Sequence, residues 1–299
     1  MYTYSIIIPH KNSPFLLERC LKSIPQRDDL EIIVVDDNSD SYEDALKVVG
    51  YYSSAQLVTN KGYGAGGARN TGLLYAKGKW LLFADCDDYY VDGFLNCLDA
   101  YVNTDYDVVY FNFYEYFESK KEPIFDKISN YITQCAKGKI SIDYVKYRNN
   151  PPWNKMVKRL FIETYHIRFE EQPIGNDMFF SYQIGYFCNN YLVLEKKLYN
   201  YFVYKRSQTK SGWDNKKIRA YLENIQKYSG FMSFVGRKDW THGFPFLCFQ
   251  LYKSKEIIRS FRIIWFYICH YGDIHRMRDK YPAIIRDNSK IIHKEYENV

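Results

Sequence analysis

Leu81-Leu82-Phe83-Ala84-Asp85-Cys86-Asp87-Asp88-Tyr89-Tyr90 is an apolar run of strand length that delivers two carboxylates, one residue apart, to its C-terminal end. On an extended backbone, side chains at i and i+2 share a face, so Asp85 and Asp87 are placed to grip one object together. Two carboxylates this close repel unless something positive lies between them. A hard divalent cation that also binds phosphate oxygens meets that need. The plain alternative is a surface turn, because Asp favours turns, and a lone Asp-x-Asp reads that way.

The segments around it shift the balance. Tyr4-Ser5-Ile6-Ile7-Ile8-Pro9 is a β-branched run closed by Pro, and Glu31-Ile32-Ile33-Val34-Val35-Asp36-Asp37 is a second one that also ends in acid. Both have the continuous apolar pattern of buried parallel strands. Between them Pro14 opens a helix, with Phe15, Leu16, Cys20, Leu21 and Ile24 read as its apolar face. A helix over Asp44 to Val49, a short strand at Ala55 to Thr59 and a helix over Ala68 to Ala76 precede the acidic strand. A helix from about Val91 to Val102 and a strand at Asp107 to Phe113 follow it. Strands alternating with helices imply a parallel α/β sheet with its ligand at the strands' C-terminal ends, where the unusual polar residues collect.

Beyond Tyr114 the alternation stops. Glu115 to Lys139 reads as an irregular excursion, Ile140 to Tyr147 as a helix, Asn176 to Cys188 as a helix and Leu192 to Val203 as a strand. The loop Asn149 to Asn154 feeds Lys155-Met156-Val157. From Trp213 onward the pattern is helical, so the expected division is a domain over 1–210 and a helical, aromatic and basic extension over 211–299.

Gly62-x-Gly64-x-x-Gly67 matches the G-x-G-x-x-G dinucleotide pattern and has Asp85 about twenty residues on. That fingerprint belongs on the first strand of its unit, with a long helix holding pyrophosphate at its N-terminus. Here it follows the third strand. A mobile loop whose glycines let the chain pass close to a ligand, with Arg69 facing that ligand, is the better account.

Composition narrows the classes. The net charge of +6 suits an anionic substrate but is too mild to argue for nucleic acid. The seven cysteines are scattered with no C-x-x-C pair, which implies reduced thiols rather than a disulfide framework or zinc cage. The chain enters a strand at once without a secretory signal, and no uncharged run has the length of a membrane span. A cytoplasmic protein is expected.

Taken in order, Ser5-Ile6-Ile7-Ile8-Pro9-His10-Lys11-Asn12, Ile33-Val34-Val35-Asp36-Asp37-Asn38-Ser39, Gly67-Ala68-Arg69-Asn70-Thr71-Gly72-Leu73 and Phe83-Ala84-Asp85-Cys86-Asp87-Asp88 resemble the family 2 glycosyltransferases. The likeness extends over about the first 210 residues. It implies a GT-A fold, with a Rossmann-like, mostly parallel central sheet flanked by helices. It implies a nucleotide-diphosphate sugar donor, inversion at the anomeric carbon, and Mn2+ or Mg2+ as cofactor.

By that resemblance Pro9 and Lys11 line the nucleoside pocket, Asp37 accepts from the base and Arg69 contacts the nucleotide. Asp85 touches the ribose or the metal, and Asp87 is the principal metal ligand. Lys11 stands where the family often has Tyr. Pro173-Ile174-Gly175-Asn176-Asp177-Met178 matches the segment where an acidic pair opens a helix below the acceptor. This makes Asp177 the base that deprotonates the acceptor hydroxyl and Asn176 an acceptor-binding residue. A helix-capping carboxylate is the bland reading of Asp177. Trp153 and Asn154 fall where the family places acceptor residues, although a Trp beside Met156 equally suits a core. Arg206 and Ser207, with Thr209, match a segment that closes over the diphosphate, or else form a solvated basic loop. His10 has no evident partner, and the Cys86 side chain is expected to point away into the core.

Ile257, Ile258, Phe261, Ile264, Trp265 and Ile268 recur at helical spacing among Lys253, Lys255, Arg259 and Arg262. Such a helix either lies in an anionic membrane surface or packs on the catalytic domain. The resulting expectation is a hexosyl- or N-acetylhexosaminyl-transferase acting on a saccharide or lipid-linked saccharide, at the inner face of the membrane if that helix meets lipid. A catalytically silent nucleotide-binding scaffold is the alternative of a different class.

Overall fold

The computed structural model describes residues 2–117, 120, 122–204, 214–241 and 257–286. The chain forms two compact units, one of Met1–Glu171 with Asn176–Ser207, the other of Gln172–Gly175 with Gln208–Val299.

The first unit is built on strands β1 (Tyr4–His10), β2 (Leu30–Asp36), β3 (Ala55–Thr59), β4 (Trp80–Phe83), β5 (Tyr89–Tyr90), β6 (Val108–Phe117), β7 (Lys155–Lys158) and β8 (Tyr191–Val203). They form one sheet in the order β3-β2-β1-β4-β7-β6-β8-β5. β1, β2, β3 and β4 pair in parallel. β7 runs antiparallel to both β4 and β6, and β5 antiparallel to β8, while β6 and β8 are parallel. The sheet is therefore mixed, less uniform than strand–helix alternation alone implies. The β-branched runs of β1 and β2 are buried along their whole length, as strands covered on both faces must be. Register sets His10 opposite Asp36 and Ile7 opposite Phe83, so the polar ends of these strands lie side by side.

Helix α1 (Pro14–Lys22) buries Leu17, Cys20 and Leu21. Phe15, read as part of that face, is 78% exposed. Helix α2 (Tyr42–Val49) follows β2, and α3 (Gly64–Tyr75) starts four residues before the expected Ala68. The long helix expected after the acidic run is replaced by the short α4 (Phe94–Leu98) and a 3-10 turn at Asp99–Tyr101. Within the stretch read as irregular, Lys127–Ala136 forms helix α5, whose start is capped by the Asp126 side chain. Helices α6 (Asp143–Arg148), α7 (Arg159–Thr164) and α8 (Met178–Phe187) complete this unit.

In the second unit, helix α9 (Asn215–Phe234) packs Ile218 and Leu222 against Ile263, Tyr267 and Ile274 of the helices Ile257–Cys269 and Tyr271–Arg276. The stripe read as one face of Ile257–Cys269 is the outer one at Phe261 and Trp265, each 70% exposed. Among the described residues no helix is long and apolar enough to cross a membrane.

Candidate active site

The acidic run does not continue as a strand. β4 ends at Phe83, and Asp85 to Asp88 form a turn closed by the Asp88 amide donating to the Asp85 carbonyl at 3.0 Å. Asp85 and Asp87 therefore do not share a face by strand alternation. A turn places them close together instead. The Asp87 carboxyl is pushed up to about 6 by burial, then by the Asp85 charge. The third acid faces inward. Asp88 is 1% exposed and accepts from the Tyr199 hydroxyl at 3.1 Å and the Phe202 amide at 2.8 Å, which ties the turn to β8. From α1, Arg19 donates to the Asp87 carbonyl and, at 2.9 Å, to the Tyr204 hydroxyl. Cys86 is half-buried, and burial pushes its thiol up.

Arg69, on the second turn of α3, joins the two sides of the site. Nη2 lies 2.5 Å from Asp85 Oδ1 and Nη1 donates to Asn176 Oδ1 at 2.9 Å. The guanidinium is 5% exposed, sits 5.4 Å from the Phe169 ring, and leaves Nε buried without a partner. An unsatisfied buried donor is costly, and beside an Asp-x-Asp turn a diphosphate oxygen would satisfy it. Asp177 stands at the N-cap position of α8 but makes no side-chain cap hydrogen bond. Capping therefore does not account for it. Burial pushes its carboxyl above the usual range, while Arg69 and Lys155 pull it back. A carboxylate raised by burial, within reach of the charges of Arg69 and Lys155, is suited to take a proton.

At the ends of β1 and β2, Pro9 is buried and Lys11 Nζ lies 3.7 Å from Asp37 Oδ2. The Asn60 side chain donates to Asp37 Oδ1 at 2.6 Å and accepts from the Gly62 amide and the Thr71 hydroxyl. His10, unassigned from the sequence, has a partner in the fold. Its Nε2 accepts from the Ser13 amide, so the neutral ring donates from Nδ1 to Asp36 at 3.1 Å. Asp36 is buried, yet bonds from Ser39 and His10 hold it below the usual carboxylate range. Asn12 and Asn38 take left-handed conformations, which Asn tolerates, and Asn12 bonds to Ser39 and Asp40 lock the two loops together.

The glycine-rich loop is not held open for a ligand. The Tyr63 amide donates to Glu171 Oε2 at 3.0 Å, and a Cβ on Gly62 would lie 2.7 Å from that carboxylate. A Cβ on Gly66 would meet the Glu170 carbonyl oxygen at 2.0 Å. These glycines serve close approach of one chain segment to another. Gly66→Ala is expected to destabilise the protein by about 1–3 kcal/mol, read as a lower midpoint of thermal unfolding. An unchanged midpoint would show that the two segments part freely.

Trp153 and Asn154, expected among acceptor residues, are both buried. Trp153 is 3% exposed, with its ring stacked 4.6 Å from Tyr199 and 5.2 Å from Tyr201 and edge-on to Phe113. It supports the sheet from within the core. Asn154 is fully buried and donates to Asn149 Oδ1 at 2.7 Å, leaving its own Oδ1 without a partner. Arg206, Ser207 and Thr209 lie outside the described residues. Sequence reasoning missed Lys155 altogether. It is fully buried and donates to the Asn149 carbonyl, the Pro151 carbonyl and the Ser181 hydroxyl.

Among the described residues no three His, Cys, Asp or Glu side chains converge into a metal cage. Mg2+ and Mn2+ do not require one in nucleotide sites, where one or two carboxylates act together with substrate phosphates. Asp87, half-buried and raised by burial and then by the Asp85 charge, suits such a cation, and Asp85 offers the oxygen that Arg69 leaves free.

The Glycosyl transferase family 2 profile matches residues 5–166, which contain every one of these strand ends. The chain belongs to glycosyl transferase family 2. Among relatives, the putative glycosyltransferase EpsH of Bacillus subtilis is 24% identical over 68% of this chain and 61% of its own length. A GalNAc(5)-diNAcBac-PP-undecaprenol beta-1,3-glucosyltransferase of Campylobacter jejuni is 38% identical over 36% of this chain and 37% of its own length. The chain thus spans less than two thirds of the relatives it matches. The crystal structure of Staphylococcus aureus TarS 1-349 in complex with UDP-GlcNAc shares the fold, with a TM-score of 0.59 at 17% identity, covering 100% of this chain and 92% of that one. The family 2 chain has the GT-A fold.

Proposed function

We propose that this family 2 chain is an inverting, metal-dependent glycosyltransferase. It moves a hexosyl or N-acetylhexosaminyl group from a nucleotide-diphosphate sugar to a hydroxyl of a saccharide or lipid-linked saccharide. Its setting is surface polysaccharide synthesis, of the capsule or lipopolysaccharide kind, on the cytoplasmic side of the membrane. One observation carries this reading. Arg69 bonds at once to Asp85, on the side of the Asp-x-Asp turn, and to Asn176, beside Asp177. A donor gripped at the turn and an acceptor resting on Asn176 and Asp177 would meet across that guanidinium.

Asp177 takes the proton of the attacking hydroxyl, Asn176 orients the acceptor, and the free Arg69 Nε binds a phosphoryl oxygen. Asp87, with Asp85, would hold Mn2+ or Mg2+. When bound, the ion offsets negative charge on the departing diphosphate. TarS in complex with UDP-GlcNAc supports a UDP-sugar as the first donor to try. With Mn2+ and a panel of nucleotide sugars, we expect slow donor hydrolysis, transfer to saccharide acceptors, and a rise in the unfolding midpoint with UDP. A rise with NAD and none with UDP or GDP would contradict the reading. Nucleotide binding without any turnover would point to the silent scaffold.

The helix Ile257–Cys269 supports a peripheral membrane contact. Phe261, Trp265 and Ile268 are 70%, 70% and 59% exposed on one face, with Arg262 exposed beside Phe261. Large aromatic side chains and a cation on one helix face suit an anionic lipid surface. The protein is expected to co-sediment with anionic vesicles, and Trp265→Glu to release it. Binding unaffected by Trp265→Glu places the contact elsewhere.

A further inference from the structure

Lys155 opens β7 with its side chain fully buried. Its three N–H donors are all used, on the Asn149 carbonyl at 3.2 Å, the Pro151 carbonyl at 2.5 Å and the Ser181 hydroxyl at 3.0 Å. All three partners are neutral oxygens. An ammonium taken from water is expensive unless an anion answers it, and a methionine would fill a similar volume without that cost. The negative charge that reaches Lys155 is that of Asp177, and Lys155 acts in turn on Asp177.

The contacts also fix where Asp177 sits. Ser181 lies one turn along α8, its amide donating to the Asp177 carbonyl at 3.1 Å. Its hydroxyl donates to the Asn150 carbonyl at 2.5 Å while accepting from Lys155. The chain of bonds runs from the Asn149–Pro151 loop through Lys155 and Ser181 to the first turn of α8. We propose that Lys155 is a positioning residue for Asp177, pinning the helix start that carries it and placing a buried positive charge within its reach beside the acceptor. This rests on the glycosyltransferase reading above and adds to it a group that never touches the substrate.

The charges that reach Asp177 come from Arg69 on α3, Asp85 in the turn after β4 and Lys155 on β7. Burial first, and then the Asp85 charge, raise the carboxyl, while Arg69 and Lys155 work against that rise. Removing the ammonium therefore raises the Asp177 midpoint further. The acid limb of transfer, where the base becomes protonated, moves to higher pH. Lys155 itself is pushed down to about 7 by burial, with Asp177 pulling it back up, so losing the Asp177 charge lowers the lysine midpoint.

The test compares kcat against pH for the parent, Lys155→Met and Ser181→Ala. In Lys155→Met we expect the acid limb to rise by on the order of one pH unit, with tenfold lower kcat on that limb and an unchanged KM for the donor. Ser181→Ala keeps the charge, so it should lower kcat without moving the limb. A folded Lys155→Met protein whose limb stays at the parental pH overturns the proposal. If Lys155→Met does not fold, the reciprocal measurement decides. The Lys155 Cε signal, followed by NMR in Asp177→Asn, should titrate at lower pH than in the parent, and an unmoved midpoint overturns the proposal equally. A parent chain that transfers no sugar from any nucleotide donor contradicts the glycosyltransferase reading, and the assignment of Lys155 with it. Transfer by the parent with an unmoved limb removes only the assignment of Lys155.

Discussion

Asp177→Asn is expected to lower sugar transfer on the order of 10²-fold or more, the usual scale for losing a general base, while donor binding stays nearly unchanged. Its carboxylate is half-buried at the start of α8 and makes no capping hydrogen bond, so Asn, of the same size, leaves the helix start intact. The charged groups around it, Arg69, Asp85 and Lys155, keep a net positive field there, and removing a negative charge alters proton transfer more than packing. Binding should hold because Arg69 keeps its bonds to Asp85 and Asn176. The check is a pair of titrations, of nucleotide affinity and of initial rate, on the parent and the variant. A loss of stability with proportionate loss of both would mean that Asp177 is structural. Parental transfer by Asp177→Asn would show that another group takes the proton, and an inactive Asn176→Ala beside it would limit this pair to holding the acceptor.

Asp87→Ala is expected to abolish turnover and to remove the dependence of nucleotide binding on Mn2+ or Mg2+, with the fold retained. The carboxyl of Asp87 is raised to about 6 by burial, then by Asp85, so losing it relieves a repulsion. What holds the turn is the set of bonds to the Asp87 carbonyl and the Asp88 carboxylate. Arg19 and Tyr204 donate to the Asp87 carbonyl, and Asp88 is bonded to Tyr199 and Phe202. None of these needs the Asp87 side chain. Calorimetric titration of nucleotide with and without the cation checks it. Near-parental, cation-dependent turnover in Asp87→Ala would place the ion elsewhere.

The parts of the fold legible in the sequence are those where local pattern and burial agree. Ile6 to Ile8 and Ile32 to Val35 are continuous β-branched runs, and they are buried parallel strands. The direction of β7 and β5 was not legible. Strands of four and two residues carry almost no periodicity, and their pairing is decided by partners far along the chain. The helix Lys127–Ala136 was missed because its mixture of Ser, Asn, Thr and Tyr has weak helix propensity, and tertiary packing around buried Ile132 supplies what propensity lacks.

In the site, the separate roles given to Arg69, Asp85 and Asn176 rest on the family resemblance, and the bonds that join the three come from the fold. The meaning of the glycines was not legible, since Glu170 and Glu171, which they accommodate, lie about a hundred residues away. Trp153 was ambiguous because an aromatic ring suits a sugar and a core alike, and only its stacking on Tyr199 and Tyr201 decides. Lys155 was invisible because lysine is by default a surface residue. The His10–Asp36 pair joins two strand ends through register, which no local window contains.

The most direct test of the account is the stereochemistry of the first product. With a UDP-sugar of α configuration, Mn2+ and a saccharide acceptor, proton NMR of the newly formed linkage at early times reports its anomeric form. Attack by a hydroxyl activated by Asp177, from the face opposite the diphosphate, predicts a β-linked product. A product that keeps the α configuration from the earliest time point would contradict it.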